Sequence, residues 1–285
     1  MKKLLVIFTI LGLLLPISSI SADEAVYEYS FEESLNDASS TKEGRVVGEK
    51  VGVEGGSVSY ADGKEGKALV LDGASGVQLP DGMITSNIYT VSLWLNPEEL
   101  TDFTPAFFGF GKDASWISIA PQAVNGETMV WSGEEWYDGL TGGTIPLSTW
   151  SHIVLTVDNG SIKVYVDGVV KHEGEGFPNV FEGNNGQFAL GVNFWDPAFK
   201  GMIDELKIYP TQAIDAAAVA ALAGGASEET PVTPEVEPEE TPETKPEPKP
   251  EKKDNNTGLY IAGGVGVLVV AVGALALNKK KKNKA

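Results

Sequence analysis

The chain of 285 residues contains no cysteine. That excludes disulfide staples, thiol catalysis and any thiolate-ligated metal site, so an exported fold must be held by a core of adequate size. Histidine is nearly as scarce, with only His152 and His172, which excludes a site built on several imidazoles. Positive charge is also short, since 21 Lys and Arg stand against 40 Asp and Glu for a formal net charge of -19. Nucleic acid needs a dense basic surface and is not an expected partner. The acidic balance reads as a solubility feature, with cation binding as the secondary option.

What the ends do contain is membrane chemistry. Met1-Lys2-Lys3 leads into the apolar run Leu4 to Leu15, then Pro16 and small residues up to Ala22, the pattern of a signal peptide over residues 1–22. Leu259 to Leu277 carries no charge, and at about 1.5 Å per residue it approaches the ~30 Å thickness of bilayer hydrocarbon. Lys279-Lys280-Lys281-Lys282-Asn283-Lys284 follows at once, and a basic cluster beside a span belongs on the cytoplasmic side. The expectation is a single-pass protein of the cell membrane, with a transmembrane helix over 257–278, a cytoplasmic tail over 279–285 and the N-terminal domain outside. This end also resembles the cell-wall sorting signals of Gram-positive bacteria. Only Thr257-Gly258 remain of their Leu-Pro-x-Thr-Gly pentapeptide, however, and Asn255-Asn256 precede them, so a plain membrane anchor is the reading. Residues 226–256 are rich in Pro, Glu, Thr and Lys with no hydrophobic periodicity. They are expected to be a disordered, extended stalk.

The remaining span, 23–225, is long enough for one sandwich. From Val26 to Tyr209 short apolar or alternating runs are separated by Gly, Asn and Asp, as in an antiparallel all-β sandwich. Examples are Tyr89 to Leu95, Trp116 to Ala120, His152 to Val157 and Ser161 to Val166, and Asp158-Asn159-Gly160 and Asp167-Gly168 between runs predict tight hairpins. Ile214, Val219 and Leu222 punctuate an Ala-rich stretch ended by Gly224-Gly225, which predicts one short closing helix.

Six landmarks in order carry a resemblance: Tyr29-Ser30-Phe31-Glu32-Glu33 with Asn36-Asp37, Gly66 to Gly73, Tyr89 to Leu95, Trp150 to Val157, Val164 to Gly168 and Phe199 to Tyr209. Together they resemble the laminin G-like domains of the concanavalin A-like jelly-roll superfamily, over essentially all of residues 26–222. The resemblance implies a two-sheet antiparallel jelly-roll sandwich that binds glycans or proteins, often with calcium. Some relatives are glucanases with two Glu and an Asp on one strand, but no Glu-x-Asp-x-Glu or Glu-x-Asp-x-x-Glu occurs here. Glu134-Glu135 and Asp204-Glu205 are adjacent pairs, and adjacent strand residues face opposite sides. With no Gly-x-Ser-x-Gly elbow either, the domain reads as a binder and not as an enzyme.

Aromatic side chains carry the ligand expectation, because sugar rings stack their apolar faces on indoles while neighbouring polar groups bind hydroxyls. Trp94 and Trp150 read as core and Trp131 as ambiguous. Trp116, Trp136 with Tyr137, and Trp195 with Asn193 and Asp196 are the candidate ligand-binding residues, taking a glycan or a surface protein. For calcium, hard oxygen ligands are wanted, and side-by-side terminal strands would bring Glu32, Asn36 or Asp37 near Asp204. The alternative is that Asp37 caps a turn and Asp204 holds a strand end through backbone hydrogen bonds. His152 reads as structural and His172 as an exposed strand residue.

Overall fold

The computed structural model describes residues 27–39, 41–111, 115–133, 135–183 and 185–224. The signal peptide, stalk, span and basic tail expected from the sequence lie outside them. Among the described residues no helix is long and apolar enough to cross a membrane.

The described strands form two antiparallel sheets, as the sequence pattern predicts. One runs β13 (Val169–Gly174), β12 (Ser161–Val166), β11 (Ser151–Asp158), β6 (Ile88–Pro97), β15 (Lys200–Tyr209), β4 (Lys67–Asp72) and β3 (Ser59–Asp62), with β1 (Tyr27–Tyr29) also paired to β15. The other runs β10 (Tyr137–Leu140), β9 (Met129–Ser132), β8 (Trp116–Ala120), β7 (Phe107–Phe110), β14 (Gln187–Leu190), β5 (Gly76–Leu79) and β2 (Arg45–Val47). Non-consecutive neighbours such as β6 between β11 and β15 make this a jelly roll and not a meander.

The hairpins form where their residues tolerate left-handed backbone. Asn159 and Gly160 both have positive φ (49° and 94°) between β11 and β12, and Asp167 and Gly168 repeat this (50° and 78°) between β12 and β13. Paired positive φ values give the turn whose twist matches that of the strands. The closing helix α1 (Ala216–Leu222) starts where Asp215 accepts a hydrogen bond from the Ala218 N–H at 2.9 Å. Its Val219 packs on Val154 and Tyr165, on the outer face of the larger sheet.

Between the sheets lies the core. Alternate residues supply it: Val91, Leu93 and Leu95 from β6, Ile153, Leu155 and Val157 from β11, Phe107 from β7, Ile117 and Ile119 from β8, and Phe188 from β14. Burying each such side chain contributes roughly 1.5–3 kcal/mol, which is how the fold stands without disulfides. The intervening residues point the other way, and on the smaller sheet they are unusually aromatic.

Candidate functional site

Strand pairing draws the outward residues of the smaller sheet into one transverse row. Asp138 stands opposite Trp131, Trp131 opposite Ser118, Ser118 opposite Phe108, Phe108 opposite Ala189, Ala189 opposite Gln78 and Gln78 opposite Arg45. Directly opposed residues share a face with Cβ atoms about 4.5–5.5 Å apart. A second row sets Trp116 beside Phe110 and Phe110 beside Gln187. Phe108, Trp116 and Trp131 belong to a hydrophobic cluster separate from the main core, with Phe103, Phe110 and Phe194 packed against it.

Trp131 is the hub of this face. Phe103 stacks on it at 4.6 Å, and Trp116 and Trp136 meet it edge-on at 4.6 and 5.5 Å. Trp116 in turn meets Trp195 at 5.7 Å, and Trp195 stands at 89° to Phe108. Trp136 and Trp195 are 63% and 54% exposed, whereas Trp116 and Trp131 are 8% and 6% exposed. Two open indoles therefore stand at the ends of a run of four whose middle members are nearly covered. Such a surface offers apolar stacking faces at both ends, a layout for an extended ligand rather than a point-like one. Two buried polar atoms in the same patch, Trp131 Nε1 and Ser118 Oγ, have no hydrogen-bond partner in the protein.

Local structure fixes each indole. Trp136 sits at φ 48° in the turn before β10, a conformation costing a bulky residue about 1–3 kcal/mol. The Trp195 loop is organised from below by Asn193, which is fully buried. Its Oδ1 accepts from the N–H groups of Trp195 (2.8 Å) and Asp196 (2.7 Å), while its Nδ2 donates to Asp196 Oδ2 at 2.6 Å. Lys50 Nζ donates to the Asp196 carbonyl, and the Val51 N–H donates to the Asn193 carbonyl at 3.0 Å. Trp116 lies across Gly133, where a Cβ would overlap the indole at Nε1 and Cε2; only glycine leaves room for that approach.

Of the residues singled out from sequence, Trp116, Trp136 and Trp195 converge, and Asp196 lies under the Trp195 loop. Asn193 shapes that loop from within and does not reach solvent. Tyr137 does not join the face: it is paired to Ser132 and turned inward, edge-on to Phe177 at 5.3 Å. Its hydroxyl meets His172 Nε2 at 2.9 Å, linking edge strand β10 to edge strand β13 of the other sheet. The reason is the strand period, which sends Tyr137 and Asp138 to opposite faces. Trp131, ambiguous from sequence, joins the face, as does Asp138 from the Trp136-Tyr137-Asp138 stretch, and Phe103 and Phe108 add to them. The alternation in Met129-Val130-Trp131 and in Tyr137-Asp138 is the signal for the first two.

The four oxygen-bearing residues considered for calcium fall in two places. Glu32 and Asp204 do converge, on the β3–β4 turn, where a Cβ on Gly66 would strike Glu32 and one on Gly63 would strike Asp204. But Asp204, fully buried, accepts from the N–H groups of Lys64 (2.8 Å), Glu65 (3.1 Å) and Glu205 (2.8 Å), and Glu32 Oε1 accepts from the Lys67 N–H at 2.9 Å. Burial pushes the Asp204 carboxyl up to about 6 against those donors. Asp37 is held below the ordinary carboxylate range because the Ser39 hydroxyl and the Lys42 and Thr41 amides outweigh its burial. Asn36 is exposed, in an isolated bridge with Glu43. Among the described residues no group of three or more His, Asp or Glu comes together, and Asp204, Asp37 and Glu32 each accept hydrogen bonds from backbone amides.

His152 is buried on the outer face of the larger sheet, its Nε2 2.8 Å from Ser92 Oγ and its ring stacked on Trp94 at 4.9 Å. Burial, reinforced by Lys207 and Lys64, lowers its pKa to about 4. The imidazole is neutral and packed, which is a structural role.

Against this geometry, residues 71–220 match a family model of the concanavalin A-like lectin/glucanases superfamily. The chain is also similar to domain 4 of AbnA, a GH43 extracellular arabinanase from Geobacillus stearothermophilus, solved in complex with arabinotriose. Identity is 50% and the TM-score 0.68, over 70% of this chain and 98% of that one. More distant likenesses are the binding domain of Paraclostridial Mosquitocidal Protein 1 (17% identity, TM-score 0.51, 70% of this chain and 52% of that one) and the receptor binding domain of botulinum neurotoxin C/D mosaic serotype (13%, 0.50, 71% and 51%). The chain spans about half the length of those toxin domains, and they share the fold alone. No curated protein matches the chain.

Proposed function

Because the chain belongs to the concanavalin A-like lectin/glucanases superfamily, we propose that it is a non-catalytic surface module that holds a short oligosaccharide across the tryptophan face, with an arabinose chain as first candidate. The observation that carries this reading is the Trp136–Trp131–Trp116–Trp195 run with its two open ends. The 50% identity to a domain solved with arabinotriose supports the choice of sugar. A non-catalytic role is supported by the state of one candidate carboxylate pair: Asp204 is consumed by backbone amides, and Glu205 is paired with Lys207 at 3.1 Å. The apolar run 259–277 and the lysines after it support tethering to the cell membrane with the sandwich outside.

The test is calorimetric titration of the full chain with arabinotriose, alongside the double variant Trp136→Ala, Trp195→Ala. Exposed anchor tryptophans are worth about 2 kcal/mol each in interfaces, or roughly 30-fold in Kd. Since both side chains are more than half exposed, the variant is expected to lose binding without losing thermal stability. Unaltered binding in the variant abandons this face. Silence of the unmodified chain on neutral glycans hands the reading to pairing with another surface protein, which crosslinking on intact cells detects.

A further inference from the structure

Resting on the carbohydrate reading of this face, we infer that Asp138 is its specificity-determining residue: it takes sugar hydroxyls and makes the site select uncharged chains over those carrying uronate or sulfate groups. The register places Asp138 directly opposite Trp131 in the transverse row, on the same side of the sheet as the four indoles. It is exposed, and among the described residues its carboxylate has no hydrogen bond or ion pair, so both oxygens are free.

The neighbouring carboxylates differ. Asp102, next to the Phe103 that stacks on Trp131, accepts from Gln122 Nε2 at 2.9 Å. Asp196 accepts from Asn193, and Glu127 accepts from Asn125 Nδ2 at 2.9 Å and from the Gly142 N–H. Glu135 lines a separate cleft with Asn87, Asn159 and Asn179 at the end of the sandwich. Lys50, beside the Trp195 loop, is directed at the Asp196 carbonyl, and Arg45 lies at the far end of the row, donating to Gln78 at 2.7 Å.

A free carboxylate beside an aromatic face does two things. It accepts hydrogen bonds from vicinal hydroxyls of a sugar stacked on the indoles, and bonds to a charged acceptor are the stronger kind. It also repels a carboxylate or sulfate brought to the same place, with a strength that falls as salt screens it. A neutral pentose or hexose chain gains from the first and is untouched by the second.

The experiment titrates the full chain and its Asp138→Ala, Asp138→Asn and Asp138→Lys variants with arabinotriose and with trigalacturonate, at low and high salt. Expected are a loss of about tenfold or more in arabinotriose affinity for D138A, partial recovery in D138N, which keeps an acceptor oxygen, and a gain of trigalacturonate binding in D138K that salt abolishes. If D138A binds arabinotriose as the unmodified chain does while the double tryptophan variant loses it, the Asp138 inference is overturned and the face stands. Should the unmodified chain bind no neutral sugar, the carbohydrate reading fails and Asp138 loses its role with it. Trigalacturonate bound as tightly as arabinotriose by the unmodified chain refutes the selectivity alone.

Discussion

Replacing Gly133 by alanine tests whether Trp116 is held where the ligand face needs it. The added methyl carbon meets the Trp116 indole at Nε1, Cε2 and Cζ2 well inside van der Waals contact. Overpacking of this kind costs about 1–3 kcal/mol, since either the backbone at 133 or the indole must shift. For a domain of this size that is a fall of roughly 2–12 °C in Tm. Trp116 also touches Trp131 and Trp195, so a displaced indole disturbs the middle of the run and arabinotriose affinity falls with stability. Gly143→Ala is the control, because a Cβ there meets nothing within 4 Å. It should leave affinity alone and be neutral or stabilising by about 0.4–1 kcal/mol through the unfolded state. Differential scanning calorimetry and titration of both variants decide it. A G133A protein with unchanged Tm and unchanged affinity would refute the claim that glycine is required for the Trp116 approach.

Two further outcomes follow from titratable groups held by hydrogen bonds or burial. His152 has a folded pKa near 4 against an ordinary 6.5, so as pH falls below about 6.5 the unfolded chain takes up a proton that the folded chain refuses. Folding stability contributed by the neutral ring is therefore lost between about pH 6.5 and 4, by roughly 3 kcal/mol, while Asp204, raised to about 6, acts in the opposite sense as its folded form protonates first. His152→Gln isolates the first effect: urea titrations should show its stability curve diverging from that of the unmodified chain below pH 6.5, and parallel curves would sink the assignment. Chelation is the second test. With the Asp204, Asp37 and Glu32 carboxylates already accepting hydrogen bonds, adding EDTA or millimolar calcium is expected to leave Tm unchanged, and an upward shift with calcium would show that a site was overlooked.

The strand pattern and the closing helix could be read from residues alone because each rests on local chemistry: alternation, Asn-Gly and Asp-Gly turns, and an Ala-rich run ended by Gly224-Gly225. The site was less legible, for a physical reason. Trp116 and Trp131 lie on the consecutive paired strands β8 and β9, but Trp195 follows β14, and only the crossover that sets β14 beside β7 brings it to them. Trp136 and Tyr137 are adjacent in sequence and read as neighbours, although a strand period of two sends the second inward to His172. The alternation that assigns Tyr137 to the core assigns Asp138 to the face, so that residue was within reach of the pattern. Asp204 could not be placed, because its partners, the amides of Lys64 and Glu65, lie on a hairpin about 140 positions away.

The two-residue alternation of β7, β8 and β9 carries an evolutionary consequence. Phe107, Ile117, Ile119 and Val130 maintain the fold from one side of these strands, while Phe108, Trp116, Trp131 and the small Ser118 furnish the other. Inheritance of architecture and inheritance of taste are thereby written in interleaved letters of the same short words. A descendant can exchange every second letter and present a different face while its scaffold is transmitted intact.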